Sequence, residues 1–277
     1  MRVSIRTRMR SAQADLAVRH ASSRHDGARE ISGQTMSTIH STIDPGAARR
    51  NYRGPALFSA GFRPFFLVGA LYAAIVGLSW LPVFSGHVGL HSHFAPVDWH
   101  AHEMIFGAAA AMIAGFLLTA IPNWTGRLPL RGTPLAVLVA AWLLGRLAVS
   151  FGLGLPAALA AGLDLAFPVL LVGAAAREII AGKNWRNLRV VAPLVLLIAA
   201  NVLHHWLNAT QGDTGPARRL GIAAILTLIM LIGGRIIPSF TRNWLVRENP
   251  GRLPVPFSTF DAAAMAPREP HQRRDQH

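Results

Sequence analysis

The sequence contains no cysteine, one lysine (Lys183) and few charged residues, and each shortage excludes a class of protein. Without cysteine there is no disulfide scaffold, no thiolate-bound zinc or iron–sulfur cluster and no cysteine nucleophile. Only 14% of the 277 residues are charged, against roughly 25% in an average soluble domain, whereas 52% are apolar. This composition argues against an ordinary soluble protein and favours an all-α polytopic membrane protein.

The apolar residues fall into six runs separated by Gly, Pro and Asn turns. Each run is close to the ~20 residues that a membrane-spanning helix needs. Because lipid offers no hydrogen-bond partners to the backbone, these runs are predicted to be α-helices in a bundle. The predicted spans are 65–84, 103–122, 134–151, 155–176, 188–207 and 220–238.

Basic residues lie almost entirely on one side of this topology. With the N-terminus inside, 23 of the 27 Lys and Arg residues fall on the inner side, and only Arg218 and Arg219 lie in outer loops. This positive-inside bias predicts that both termini are cytoplasmic. It also explains the net charge of +14 without nucleic acid as a partner.

Three segments are predicted along the chain. Residues 1–54 form a basic cytoplasmic tail predicted to be disordered, with Met36 as an alternative start site. Residues 55–246 form the six-span membrane domain. Residues 247–277 are polar, rich in proline and without periodicity, which predicts a second disordered cytoplasmic tail.

Histidines are concentrated at the outer ends of the predicted spans. Seven of the twelve belong to this group: His87, His91, His93, His100, His102, His204 and His205. Imidazole is a common ligand of transition metals and of haem iron. His102, at the start of the second span, and His205, at the end of the fifth, could hold a planar cofactor between their helices, with His100 and His204 as alternates. Exposed, inert loop residues are the other interpretation, favoured for His87, His91 and His93.

Polar and thioether side chains within the spans are further candidates. Met104 and Met112 are eight residues apart on one helical face, where thioethers could bind copper(I) or simply pack. Arg146 and Asp164 lie in neighbouring spans and could form an ion pair, line a proton or ligand path, or supply Arg146 to a haem propionate. Asn201 is expected to orient the His205 ring. Arg235 is expected to reach the cytoplasmic interface.

Five motifs resemble the NnrS family of bacterial multi-pass membrane proteins. They are FSAGFRPFF at 58–66, WHAHEMIFG at 99–107, GFLLTAIPNWTG at 115–126, NWRN at 184–187 and GGRIIPSFT at 233–241. The resemblance spans about residues 55 to 246. It implies a location in the bacterial inner membrane, haem and copper as cofactors, and a role in the response to nitric oxide or in protection against nitrosative stress. His100, His102 and His205 or His204 match histidines of the family.

The same resemblance raises a question about chain length. Family members typically have about twelve spans, so this chain resembles an N-terminal half. The expected partners are the lipid bilayer, nitric oxide as a ligand, and either further copies of this chain or a second six-span half. Two alternatives stay open: a cofactor-free transporter or channel half-unit, in which Arg146, Asp164 and Arg235 line a path, or a truncated fragment without function.

Overall fold

A computed structural model describes residues 52–248, 253–254 and 258–260 of the chain. Backbone contacts divide the chain into two units, Met1–Tyr52 and Arg53–His277, and nearly all described residues belong to the second. Within the described ranges the secondary structure is helical and contains no strand, so the predicted all-α class is confirmed. The predicted tails lie largely outside the described residues.

Six helices are long and apolar enough to cross a membrane, which confirms the predicted number of spans. In chain order they are α1 (Phe62–Phe84), α2 (Pro96–Thr125), α3 (Thr133–Phe151), α4 (Ala157–Ala181), α5 (Trp185–Thr210) and α6 (Gly215–Glu248). A short 3₁₀ helix, Ala56–Ser59, precedes α1, and α5 begins with 3₁₀ geometry at Trp185–Val190.

The helices extend beyond most of the predicted boundaries. Helix α2 begins at Pro96, seven residues before the predicted span, because proline with its fixed φ suits the first helical turn and Asp98 follows there. It ends at Thr125, and the next residue, Gly126, has a φ of 69° that lets its N–H reach the carbonyl of Pro122. Helix α6 continues ten residues past position 238, over a total length of about 51 Å.

Helix α2 is the central helix of the bundle. In its most apolar stretch 61% of the residues are buried, against 17% in α1 and in α6. The large apolar side chains left exposed include Leu71, Leu78 and Ile229. An apolar surface of this extent is expected of a protein whose solvent is lipid. The chain is therefore a multi-pass membrane protein, and its orientation across the membrane stays a prediction.

The ends of the bundle differ in composition. One end, which we call the histidine end, carries the loop between α1 and α2, the loop between α3 and α4, and the α5–α6 turn. These loops touch: the ring of His93 lies 3.0 Å from the carbonyl oxygen of Leu155, and Asn208 donates to the carbonyl of His93. The opposite end, the arginine end, joins the end of α2 to the α4–α5 loop, where Asn184 donates to the carbonyl of Trp124.

Candidate functional site

A buried group of polar side chains lies inside the bundle near the histidine end, and we call it the polar cluster. Its members come from α2, α3, α4 and α5, and at most 14% of any of these side chains is exposed. They are His102, Glu103, Arg146, Asp164, Asn201 and His205. Buried charges in a membrane protein are costly unless paired, and here every charged member contacts another.

Arg146 is the positively charged centre of the cluster. Its Nη1 donates to both carboxylate oxygens of Glu103, at 2.8 and 2.9 Å, and its Nη2 donates to Asp164. The predicted ion pair between Arg146 and Asp164 is therefore confirmed. Because the guanidinium already faces two carboxylates, the suggested contact with a haem propionate is not needed to compensate its charge.

The backbone of α2 changes its winding where the cluster begins. Residues Glu103–Ala109 form a π-helical turn directly after His102, a departure from α geometry that is common at functional sites. Gly107 lies on this turn, and a Cβ there would approach Arg146 Nη1 to 2.8 Å. The turn and its glycine together give the guanidinium room to reach Glu103.

Two helices approach closely to bring Asp164 and Arg146 together. A Cβ on Gly145 would lie 2.9 Å from the Cα of Asp164, a distance that side chains do not tolerate. Gly145 precedes Arg146 on α3, so the small residue sets the α3–α4 separation at the level of the ion pair.

His102 is completely buried and has oxygen neighbours at both ring nitrogens. Its Nδ1 lies 2.8 Å from Glu103 Oε1. Its Nε2 faces two acceptors, Asn201 Oδ1 at 2.9 Å and Asp164 Oδ2 at 3.2 Å. The amide of Asn201 is fixed because its Nδ2 donates to the same Asp164 oxygen. A neutral imidazole carries one ring N–H, and Nδ1 already faces a carboxylate. Nε2 therefore requires either a second ring proton, which makes the imidazole cationic, or a metal ion.

His205 reaches the same carboxylate from α5. Its Nε2 lies 2.9 Å from Asp164 Oδ2. One donor atom each from His102, Asp164 and His205 lies within 4.8 Å of the others, which is compact enough to hold a metal ion. Two imidazoles and one carboxylate form a common ligand set for divalent transition metals.

The cluster also corrects the role predicted for Asn201. We expected this amide to orient the ring of His205, one turn away, but it contacts His102 and Asp164 instead. The reason is geometric. The polar face of α5 points toward α2 and α4, so the amide of Asn201 contacts side chains of these two helices and not the His205 ring on its own helix.

A planar cofactor between His102 and His205 does not fit this geometry. The ring centroids are 5.3 Å apart and nearly perpendicular, at 73°. Both Nε2 atoms contact the same oxygen of Asp164, whereas axial ligands to haem iron must reach it from opposite faces of the porphyrin. The pair fits one ion better than a porphyrin.

The remaining predicted residues lie around or away from the cluster. His204 is buried among the rings of Phe94, Phe106 and His102, and neither of its ring nitrogens has a hydrogen-bond partner in the part of the chain that the structure describes. His100 stacks on Trp80, with centroids 4.3 Å apart. Met104 packs against an apolar cluster of Val76, Val83, Phe94, Trp99 and Val149.

Arg235 does not join the cluster. It donates to Asn187 Oδ1 at 2.6 Å, at the arginine end of the bundle. A substrate path lined jointly by Arg146, Asp164 and Arg235 therefore has no support in their contacts.

Glu103 and Tyr72 are functional candidates that sequence reasoning missed. Glu103 is completely buried, and the hydroxyl of Tyr72 on α1 donates to it. That hydroxyl also lies 3.0 Å from Ser150 Oγ, which accepts from Trp99 Nε1. A usable signal existed: Glu103 is an acidic residue at the edge of an apolar run, and Tyr72 is one of only two tyrosines.

Comparison with known protein families identifies the family of this chain. The NnrS protein family matches residues 56–267. The chain belongs to the NnrS family. The match continues some twenty residues beyond position 246, where we expected the resemblance to end. No curated protein and no solved structure matches the chain.

Family membership relates the motifs to the geometry of the cluster. The motif at 99–107 supplies His102, Glu103 and the glycine of the π-helical turn. The NnrS motifs therefore include residues that bind one another inside the bundle, not only residues that join its helices.

Proposed function

We propose that this NnrS protein binds one transition metal ion, copper in particular, through His102, Asp164 and His205, and acts in the bacterial response to nitric oxide. The observation that carries the proposal is the position of Asp164 Oδ2, which faces the Nε2 atoms of both histidines. A metal ion would replace protons at this point with a bond to each ligand.

The charge of the cluster supports a bound cation. Two carboxylates, Glu103 and Asp164, face one guanidinium, Arg146. With neutral histidines the buried group carries one net negative charge, which a metal ion offsets. A protonated His102 offsets it equally well, and this is the competing interpretation that the experiment must separate.

Glu103 acts on His102 in the manner of an orienting group. Ligating histidines usually donate their second ring N–H to a carboxylate, which fixes the tautomer and strengthens the ligand. The contact between His102 Nδ1 and Glu103 fulfils this role and leaves Nε2 for the metal. With three protein ligands, a copper ion would supply one-electron chemistry and an open position for nitric oxide.

A small cavity beside His205 supports access by a diatomic ligand. It measures about 310 Å³ and opens between α4 and α5. Its lining is mostly apolar and includes Phe94, Val149, Ala161 and Val202 as well as His205. An apolar cavity of this size suits an uncharged gas such as nitric oxide and excludes hydrated ions.

Metal analysis of the purified protein tests the proposal. After treatment with a mild chelator, the wild type is expected to retain one copper ion per chain. His205→Ala and Asp164→Asn are each expected to weaken retention ~10–100-fold. The matched control is His91→Ala, which changes an exposed histidine in the loop between α1 and α2. This variant is expected to retain copper as the wild type does. Loss of copper from the wild type would favour the protonated His102, and equal retention in all four proteins would place the copper at another site.

The cavity is tested separately with Ala161→Phe. The larger ring is expected to fill part of the cavity and slow the association of nitric oxide about tenfold or more, while copper content stays unchanged. Leu159→Phe on the same helix is the control, because Leu159 is half exposed and does not line the cavity. Unchanged association of nitric oxide in Ala161→Phe would contradict access through this cavity and would leave the proposed metal site unaffected.

Haem stays a prediction from the family resemblance, and His204 is the residue at which to test it. Its two buried nitrogens have no hydrogen-bond partner among the described residues, whereas both ring nitrogens of His102 and the Nε2 of His205 contact oxygen atoms. A pyridine extract of the wild type should contain haem, and His204→Ala should lower the haem content. A colourless extract from the wild type would exclude haem as a resident cofactor.

A further inference from the structure

A second concave site lies at the arginine end of the bundle, far along the helices from the polar cluster. It is a cavity of about 700 Å³ between the end of α2, the α4–α5 loop with the start of α5, and the second half of α6. Four arginines line it: Arg186, Arg189, Arg235 and Arg242. We call it the arginine cavity.

None of these four arginines contacts a carboxylate within ionic distance among residues 52–248, 253–254 and 258–260. The contrast with Arg127 at the same end is informative, because Arg127 Nε donates to Glu178 at 2.6 Å. Arg186, Arg189 and Arg242 are exposed, and none of the described residues that line the cavity is acidic. The positive charge of the four arginines is therefore not neutralised by the described residues that line the cavity.

Arg235 is held in place despite its like-charged neighbours. Its Nη1 donates to Asn187 Oδ1 at 2.6 Å and its Nη2 reaches the carbonyl of Arg186. Arg186 and Arg189 lie close enough for their charges to repel it. Arginines that are only solvated by water would be expected to spread apart. Here the Asn187 amide and the Arg186 carbonyl hold the guanidinium of Arg235 near Arg186 and Arg189. Such an arrangement is typical of a site for an anion.

The position of the cavity in the helix bundle indicates where that anion comes from. The apolar run of α6 ends near position 238, and Pro238, Ser239 and Phe240 line the cavity together with Trp124. Aromatic and basic side chains at the end of a spanning helix mark the headgroup level of the bilayer. Basic pockets between helices at this level bind phosphate-bearing lipid headgroups.

We propose that the arginine cavity binds a phosphate group, carried by an anionic phospholipid headgroup or by a soluble phosphate. The planar guanidinium offers paired N–H donors that match phosphate oxygens, and Arg235 supplies the fixed member of the set. The exposed Arg186 and Arg189 lie at the start of α5 and line the cavity, where their guanidinium groups can bind the same phosphate. This site is independent of the metal site, because the two share no residue.

Native mass spectrometry of the purified protein in neutral detergent tests the proposal with added phosphatidylglycerol. The double variant Arg186→Gln/Arg189→Gln is expected to lower the affinity for this lipid about tenfold or more. Within the described part of the chain the side chains of these two arginines make no hydrogen bond or ion pair, so the variant should fold normally, and circular dichroism checks this. The matched control is Arg177→Gln/Arg247→Gln, which removes the same charge from exposed residues outside the cavity and should change affinity less than about twofold.

Competition separates the two sources of phosphate. Displacement of the lipid by millimolar inorganic phosphate would identify a soluble phosphate as the ligand, and retention of the lipid would identify the headgroup; both support the site. Equal losses in the two double variants, or no loss in either, would overturn it, because the lipid would then respond to net charge alone or to neither pair of arginines.

Discussion

The two ends of this bundle differ in how their charged side chains are paired. At the histidine end, one arginine and two carboxylates are buried and bonded to each other, together with His102, His205 and an amide. At the arginine end, four arginines surround an open cavity without a carboxylate among the described residues. The comparison teaches that the buried charges of the polar cluster are compensated within the chain, whereas the four arginines of the arginine cavity have no carboxylate partner among the described residues.

This difference has an energetic basis. Breaking a buried ion pair leaves an uncompensated charge in a medium of low dielectric, at a cost of about 3–5 kcal/mol. An exposed charge is solvated by water or headgroups, and its removal usually changes stability by less than about 0.5 kcal/mol. Substitutions at the two ends should therefore differ most in their effect on folding.

Arg146→Leu should have the largest effect on stability. It leaves Glu103 and Asp164 buried without their cation, so we expect the free energy of unfolding to fall by about 3–5 kcal/mol. Thermal unfolding in detergent, followed by circular dichroism, measures the loss. Arg177→Leu, at an exposed arginine, is the control and should unfold like the wild type; equal stability of the two variants would mean that the cluster is not held by its charges.

Gly145→Ala should have an intermediate effect, because the added Cβ would meet the backbone of Asp164. Overpacking of this kind costs about 1–3 kcal/mol, and it should also weaken the metal site by moving Asp164. The matched control is Gly162→Ala, since nothing lies within 4 Å of a Cβ at that glycine. A control that is as unstable as Gly145→Ala would point to a general effect of the added methyl group, such as altered lipid contact, instead of the α3–α4 approach.

Arg186→Gln/Arg189→Gln should have the smallest effect on folding. Each exposed arginine is expected to contribute less than about 0.5 kcal/mol, so the unfolding temperature should stay close to that of the wild type. The same thermal scans measure it. A large loss of stability would show that the arginine end is compensated internally after all, and would remove the contrast between the two ends.

Much of the fold could be predicted from the sequence, because lipid restricts spanning segments to apolar helices. All six spans were found this way, and the histidines fell at one end as expected. The residues at which the helices begin and end were harder to predict. The polar turn 96–102 continues α2 because it packs inside the protein, where Trp99 and His102 are buried, and hydropathy cannot reveal that burial.

Less of the candidate site could be predicted. The Arg146–Asp164 pair followed from the cost of charges in lipid, but the partner of Asn201 and the burial of Glu103 did not follow from spacing. The π-helical turn at Glu103–Ala109 rotates the side chains after His102 relative to a regular α-helix. A pattern based on 3.6 residues per turn therefore assigns these side chains to the wrong faces.

Electron paramagnetic resonance of the copper(II)-loaded protein tests the central claim most directly, because hyperfine splitting counts the nitrogen ligands. We predict splitting from two imidazole nitrogens in the wild type and in His91→Ala, and from one in His205→Ala. A spectrum of the wild type without imidazole coupling, or one that His205→Ala leaves unchanged, would contradict a metal site built from His102, Asp164 and His205.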